Sequence, residues 1–255
     1  MADSQNRLFY DGVRAEASGD IDSAILYYEK SAQISHSSNL HGNLANLYFK
    51  KENFGKSILH YRKALLLEPQ NRDLVNNLDF AVEIAGVKTP ATSNVSGLFS
   101  PSSVDFWMIF LAVIFWSGAL GFSLLFFLQG NPTHLLIILF GCLTLGAVSG
   151  WALFKSKGNQ DLLGREVIAL AAEPNTDSNQ SNLIYLRLLA LEGSSANTSV
   201  VPGESLFLDL DERGDAKSHI GPKGKVWYLT RNLDRSKRGW IREDQIGRIL
   251  ENSPS

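Results

Sequence analysis

The middle third of the chain differs from both ends in its hydrophobic pattern. No charged residue occurs between Phe106 and Leu128, and a second apolar run extends from Leu135 to Phe154. At a rise of about 1.5 Å per residue, each run is long enough to cross a hydrocarbon core of about 30 Å. Neither run has the polar face that a surface helix of a soluble protein shows. The pattern predicts transmembrane helices over 105–128 and 135–154, joined as a tight hairpin in a lipid bilayer.

Small residues recur at a spacing of four within both apolar runs. Ser117 and Gly121 lie in the first run, and Gly146 and Gly150 lie in the second. Small residues at this spacing let two helix backbones approach closely. Two interpretations are open: these residues pack the hairpin against itself, or Gly146 and Gly150 form the seam of a homodimer.

The distribution of positive charge predicts the sidedness of the hairpin. Two crossings place both ends of the chain on the same side of the membrane. Lys155, Lys157 and Arg165 follow the second run, whereas the turn between the runs has no Lys or Arg. Cytoplasmic segments are enriched in these residues, so we expect both termini in the cytoplasm. The polar start of the chain does not have the pattern of a signal peptide; if one is missing from this start, the periplasm becomes the expected side.

Residues 1–87 predict a helical domain with an internal repeat. The segment from Gly19 to Lys30 aligns with the segment from Glu52 to Lys63, with small and aromatic residues at matching places. A period of about this length is typical of stacked helix pairs. The second unit resembles a tetratricopeptide repeat, and the residues that carry the resemblance are Leu44, Ala45, Tyr48, Ser57, Tyr61, Ala64 and Pro69. The first unit fits less well, and residues 71–85 predict a capping helix.

The resemblance to tetratricopeptide repeats implies a groove that binds a segment of a partner protein. Such grooves are lined by the first helix of each pair. Here the implied groove residues are Tyr10, Val13, Asn43, Asn46, Lys50 and Asn77, with Phe80 beside them. Asn side chains can both donate to and accept from a peptide backbone. The alternative is that the Asn residues only hold neighbouring helices together.

Beyond a Pro- and Ser-rich linker (88–104) and the hairpin, residues 165–250 show short β-like runs separated by turns. The ending, with Gly239, Trp240 and Ile241, resembles bacterial SH3-like domains and implies a small β-barrel. Trp227 and Tyr228 are the candidates for a peptide-binding face of this barrel, and Trp240 is the candidate for its core. The predicted fold class is therefore α+β and multi-domain: a helical repeat, a transmembrane hairpin and an SH3-like tail.

Composition and motifs argue against an enzyme. The net charge of −2 gives no basic face for nucleic acid, and the single cysteine, Cys142, excludes a cysteine-based metal site. The five histidines are scattered along the chain, without a pair at metal-binding helical spacing. The segment Gly221 to Lys225 does not have the Ser or Thr of a phosphate-binding loop. We expect no catalytic residue, no metal and no cofactor.

The order of these parts resembles the BatE-type proteins of bacterial aerotolerance operons. The segments that carry the resemblance are 43–46, 61–65, 76–81 and 239–241. It implies a non-enzymatic scaffold in the bacterial inner membrane, next to membrane-anchored von Willebrand A-type proteins. One alternative is a cell-envelope module that senses or binds cell-wall peptides through the tail. Another is a structural helper in the assembly of a membrane complex.

Overall fold

The computed structural model describes residues 2–87, 103–127, 131–170 and 183–250. Residues 88–102 of the predicted linker and residues 128–130 of the turn between the apolar runs lie outside the described residues. The chain divides into two compact units. One unit combines the helical head (residues 2–87) with the C-terminal part (164–250), and the other contains the apolar helices.

The helical head consists of five helices. They are α1 (Ala2–Ala17), α2 (Ile21–Ala32), α3 (Ser38–Lys50), α4 (Phe54–Leu67) and α5 (Arg72–Ala85). The helices α2 to α5 begin at polar side chains that accept a hydrogen bond from the backbone N–H three residues later, at 3.0–3.3 Å: Asp20, Ser37, Asn53 and Asn71. Such caps satisfy an N–H group that has no partner within the helix. Helix α5 ends at Gly86, whose positive φ of 64° closes the last turn.

The small and aromatic positions of the sequence repeat form the core of the head. Ala24 and Tyr28 of α2 are fully buried against Leu40 and Leu44 of α3. In the second pair, the Ser57 hydroxyl donates to the Ala45 carbonyl oxygen at 2.9 Å. This contact requires the two backbones to lie close together, which the small side chains permit. The α-helical repeat predicted from the sequence is therefore present.

The apolar runs form two long helices, α6 (Val104–Phe127) and α7 (Pro132–Arg165). Both are long and apolar enough to cross a membrane. Helix α7 continues well beyond Phe154, where the second membrane helix was expected to end, and includes the residues up to Arg165. The stretch from Lys155 to Arg165 contains no proline, so every residue in it can supply the backbone N–H that the helix requires.

The C-terminal sheet contains eight antiparallel strands. They are β1 (Glu166–Ala169), β2 (Ile184–Arg187), β3 (Ala196–Val200), β4 (Ser205–Leu208), β5 (Ser218–Ile220), β6 (Val226–Arg231), β7 (Arg238–Arg242) and β8 (Ile246–Arg248). Their order is β3-β2-β7-β6-β4-β1-β8, with β5 paired to β6. The core of the sheet includes Val167, Leu186, Leu206 and Ile241.

The C-terminal sheet is open, which corrects the predicted closed barrel. Strands β3 and β8 are the two ends of the order and do not pair with each other. Gly247 of β8 packs instead against Leu59 of α4 in the helical head. The sheet thus buries part of its surface against the helices, in addition to the core that its own strands form with one another.

Candidate partner-binding surface

The predicted groove residues lie on the first helix of each pair, α1, α3 and α5. Helix α3 meets α1 through an ion pair between Lys50 and Glu16 at 3.6 Å. It meets α5 through the rings of Phe49 and Phe80, whose centroids are 5.5 Å apart. These contacts align the three helices side by side, and we call the surface that they share the inner face.

The inner face exposes four of the six predicted residues. Tyr10 is 63% exposed and Val13 is 39% exposed, while Lys50 and Asn77 are also exposed. On α5, Phe80 and Ile84 add apolar surface, at 53% and 52% exposed. A face with exposed aromatic and aliphatic side chains beside polar ones has the composition of a protein-binding surface.

Asn43 and Asn46 have a structural role in addition to their place on the inner face. The amide of Asn43 donates to the Tyr28 hydroxyl at 3.2 Å, and the Tyr61 hydroxyl donates to the amide oxygen of Asn46 at 2.5 Å. Both Asn residues are half-buried. They hold the tyrosines of the second helices in place, as the alternative interpretation of the sequence stated. Part of each residue remains accessible to solvent.

The two tyrosines are held in their neutral form. Burial raises the pKa of Tyr28 to about 12, and the nearby Glu16 carboxylate adds to the effect. Burial also raises the pKa of Tyr61 to about 12. The Tyr28 hydroxyl donates to Glu16 at 3.2 Å, so Glu16 links this tyrosine to Lys50 across α1 and α3.

The outer face of α4 is covered by the C-terminal sheet. Arg62 of α4 and Glu166 of β1 form an ion pair at 2.6 Å, and both side chains are buried. Around this pair the backbones approach closely. A Cβ atom at Gly55 would meet the Leu170 carbonyl, one at Gly203 would meet Ile58, and one at Gly247 would meet Leu59. The sheet therefore packs on α4, whereas the residues of the inner face lie on α1, α3 and α5.

Three of the histidines that are scattered in the sequence form a row in the head. Nδ1 of His36 lies 3.0 Å from Nε2 of His41, and Nδ1 of His41 lies 3.0 Å from Nδ1 of His60. This row was not predicted from the sequence. A signal was present in the antiparallel pairing of α3 and α4: because Ala45 faces Ser57, the position one turn earlier, His41, faces His60, one turn later.

The burial of Trp227 and Trp240 in the C-terminal sheet is the reverse of what was predicted. Trp227 is only 2% exposed and lies in the interior next to Gly221, so it does not form part of a peptide-binding face. Trp240, expected in the core, is half-buried and meets the ring of His219 edge-on. Tyr228 is half-buried and lies under the guanidinium of Arg248, at 5.2 Å. Of the two residues predicted for this face, Tyr228 alone retains accessible surface.

The small residues of the apolar helices separate into two sets. Gly118 of α6 faces Cys142 of α7, where a Cβ atom would collide with the sulfur. Gly146 and Gly150 have open space where a Cβ atom would be built. Within the described residues, these two glycines do not pack the hairpin against itself, so the homodimer seam stays a prediction.

The described part of the chain contains no group of His, Cys, Asp and Glu side chains that could hold a metal ion. Comparison with known families finds the tetratricopeptide repeat, with residues 38–71 matched. This range covers α3 and α4 and the turn after them, which is the second unit of the repeat predicted from the sequence. Comparison with curated proteins gives no match.

Proposed function

We propose that the chain is a membrane-anchored scaffold whose inner face binds a segment of a partner protein. The observation that supports it is the division of the repeat into two faces. The outer face of α4 is covered by the C-terminal sheet, whereas the inner face exposes Tyr10, Val13, Asn77 and Phe80. Tetratricopeptide repeats bind protein segments on the corresponding face.

The apolar helices support the membrane anchor. A buried core helix of a soluble protein would have most of its side chains covered. In contrast, α6 and α7 expose large apolar side chains along their length, among them Phe115, Leu120, Phe140 and Phe154, which are 67–79% exposed. Exposed apolar surface on this scale is stable in lipid and not in water. The charges that flank α7 favour a cytoplasmic head and tail.

The partner is, in this proposal, a second membrane protein of a Bat-type complex with a von Willebrand A-type domain. The order of parts in the sequence supports this identity, and the shared membrane would bring the two proteins together. An anchored scaffold gains from this arrangement, because confinement to one membrane raises the effective concentration of a partner without new contacts.

Co-purification from membranes tests the proposal. Lys50 and Lys51 are neighbours and both are exposed, but Lys50 lies on the inner face, while Lys51 pairs with Asp22 of α2. We expect Lys50→Ala to lower the recovery of a specific partner several-fold, and Lys51→Ala to leave it unchanged. Equal recovery with both variants would contradict a binding role of the inner face.

A further inference from the structure

The row of histidines lies where the first helix pair meets the second. His36 belongs to the connection between α2 and α3, His41 to the first turns of α3, and His60 to the middle of α4. Besides these nitrogen–nitrogen contacts, the rings lie nearly parallel to each other. The ring centroids of His36 and His41 are 5.1 Å apart, and those of His41 and His60 are 5.2 Å apart. The row therefore ties the connecting segment to both helices of the tetratricopeptide repeat.

The row continues through a fourth ring into a charged cluster. Tyr48 of α3 stacks on His60, with the ring planes 11° from parallel. The Tyr48 hydroxyl donates to Glu29 of α2 and accepts from Lys56 of α4 at 3.1 Å. Lys63 of α4 also faces the row. The positive charges of Lys56 and Lys63 oppose an added proton on His60. The carboxylate of Glu29 contacts the Tyr48 hydroxyl and Lys56.

The hydrogen bonds of the row limit the number of protons that it can hold. Both nitrogens of His41 lie 3.0 Å from a neighbouring imidazole nitrogen. Each neutral imidazole has one donor and one acceptor nitrogen, and an imidazolium has two donors. The row remains connected when all rings are neutral, and also when His41 alone is protonated, because both neighbours can then accept. A second proton on His36 or His60 places two cations beside each other and two donors face to face.

We propose that this row is an acid-sensitive latch, which holds the connection between the first helix pair and the repeat at neutral pH and releases it under mildly acidic conditions. Burial lowers the pKa of His60 well below its usual value, and the neighbouring His41 and Lys63 lower it further. A histidine in the unfolded chain accepts a proton near pH 6.5, whereas the buried His60 of the closed row resists protonation. The stability that the latch provides is therefore present above pH 6.5 and is lost as the pH falls.

Hydrogen exchange on the full-length protein in lipid nanodiscs tests the latch. Each proton that the open form binds in excess lowers the closing equilibrium about tenfold per pH unit. After correction for the intrinsic rate, we expect the protection of the peptides over residues 34–48 to fall at least tenfold between pH 7.5 and pH 5.5. Peptides over β6 and β7 provide the internal reference, and we expect their protection to stay constant.

Three variants identify the groups responsible. His60→Phe keeps an aromatic ring stacked on Tyr48 but removes the group that titrates. His36→Gln replaces the imidazole at the exposed end of the row. The second variant provides the test if the first one does not fold. We expect both to reduce the loss of protection at pH 5.5, whereas His219→Gln, in the C-terminal sheet, leaves the loss unchanged. Equal protection of residues 34–48 at both pH values in the wild type, or an undiminished loss in both row variants, would overturn the proposal.

Discussion

The two faces of the helical head are built from the same repeat but are used differently. On the outer face, α4 contributes Leu59 and Arg62 to a contact with the C-terminal sheet, where glycines allow close approach and an ion pair is buried. On the inner face, side chains of α1, α3 and α5 remain exposed, and its polar groups join helices within the head. The comparison shows how a short repeat array can be stabilised on one side and stay available on the other.

This arrangement also answers a question that the length of the array raises. Two helix pairs and a capping helix are fewer than the three or so repeats that usually fold independently. An array of this length therefore needs an additional contact to be stable. In the structure the missing contact comes from the same chain, because the C-terminal sheet covers α4.

Breaking the buried ion pair is expected to have the largest effect on stability. Arg62→Ala leaves the Glu166 carboxylate buried without its partner, and removal of one member of such a pair costs about 3–5 kcal/mol. Chemical denaturation of the full-length protein in detergent measures the loss. The matched control is Arg238→Ala, which removes an exposed arginine that pairs with Asp209 and is expected to cost about 0–1 kcal/mol.

A double variant distinguishes the effect of an unpaired buried charge from the effect of losing the contact between α4 and the C-terminal sheet. Replacing both partners, as in Arg62→Met with Glu166→Leu, removes the two charges together and keeps an apolar contact. We expect the double variant to recover most of the stability that Arg62→Ala loses, because no charge then remains buried alone. A double variant as unstable as the single one would show that the contact depends on the charges themselves.

The next largest loss of stability is expected from substitutions of the glycines that contact α4 on the outer face. A Cβ atom at Gly247 would meet Leu59, whereas Gly193, in the connection between β2 and β3, has open space around it. We expect Gly247→Ala to cost about 1–3 kcal/mol, as overpacking of a close contact does. The same denaturation experiment should find Gly193→Ala close to the wild type. Equal stability of the two variants would mean that the sheet and α4 do not pack this closely.

Substitutions on the inner face are expected to have the smallest effect on stability. They are also expected to differ from one another in their effect on partner binding. Asn46→Ala and Tyr61→Phe break the same hydrogen bond, and each should cost about 1 kcal/mol. Only Asn46→Ala changes the surface of the inner face, because Tyr61 is buried. Partner recovery should therefore fall for Asn46→Ala and not for Tyr61→Phe. A similar decrease for both would assign Asn46 a purely structural role.

The elements of this fold could largely be predicted from local patterns. The spacing of Ala24, Tyr28, Ser57 and Tyr61 identified two helix pairs, and uncharged runs identified two apolar helices. The contact between Arg62 and Glu166 could not be predicted, because the residues are far apart in sequence and no periodicity connects them. Nothing in the local pattern of either segment marks it as facing the other.

The error at Trp227 had a different cause, since the necessary signal was present. In β6 the buried residues include Trp227 and Leu229, while Val226 and Tyr228 are half-buried. Side chains of a strand alternate between its two faces, so Trp227 and Leu229 lie on one face of β6. Tyr228 lies on the other face, where it pairs with Ile241 and packs against the core of the sheet. Interpreting Trp227 and Tyr228 as one face contradicted this alternation. In β7 the same rule places Trp240 and the buried Ile241 on opposite faces.

Site-specific photo-crosslinking in native membranes tests most directly whether the inner face is the binding surface. A photoreactive phenylalanine analogue would replace Tyr10, Asn77 or Phe80 on the inner face, and Leu26 or Leu67 on the second helices, where the side chains are also exposed. We predict one shared protein adduct from the inner-face positions that Leu26 and Leu67 do not give. The same adduct from the second helices, or from them alone, would contradict the account.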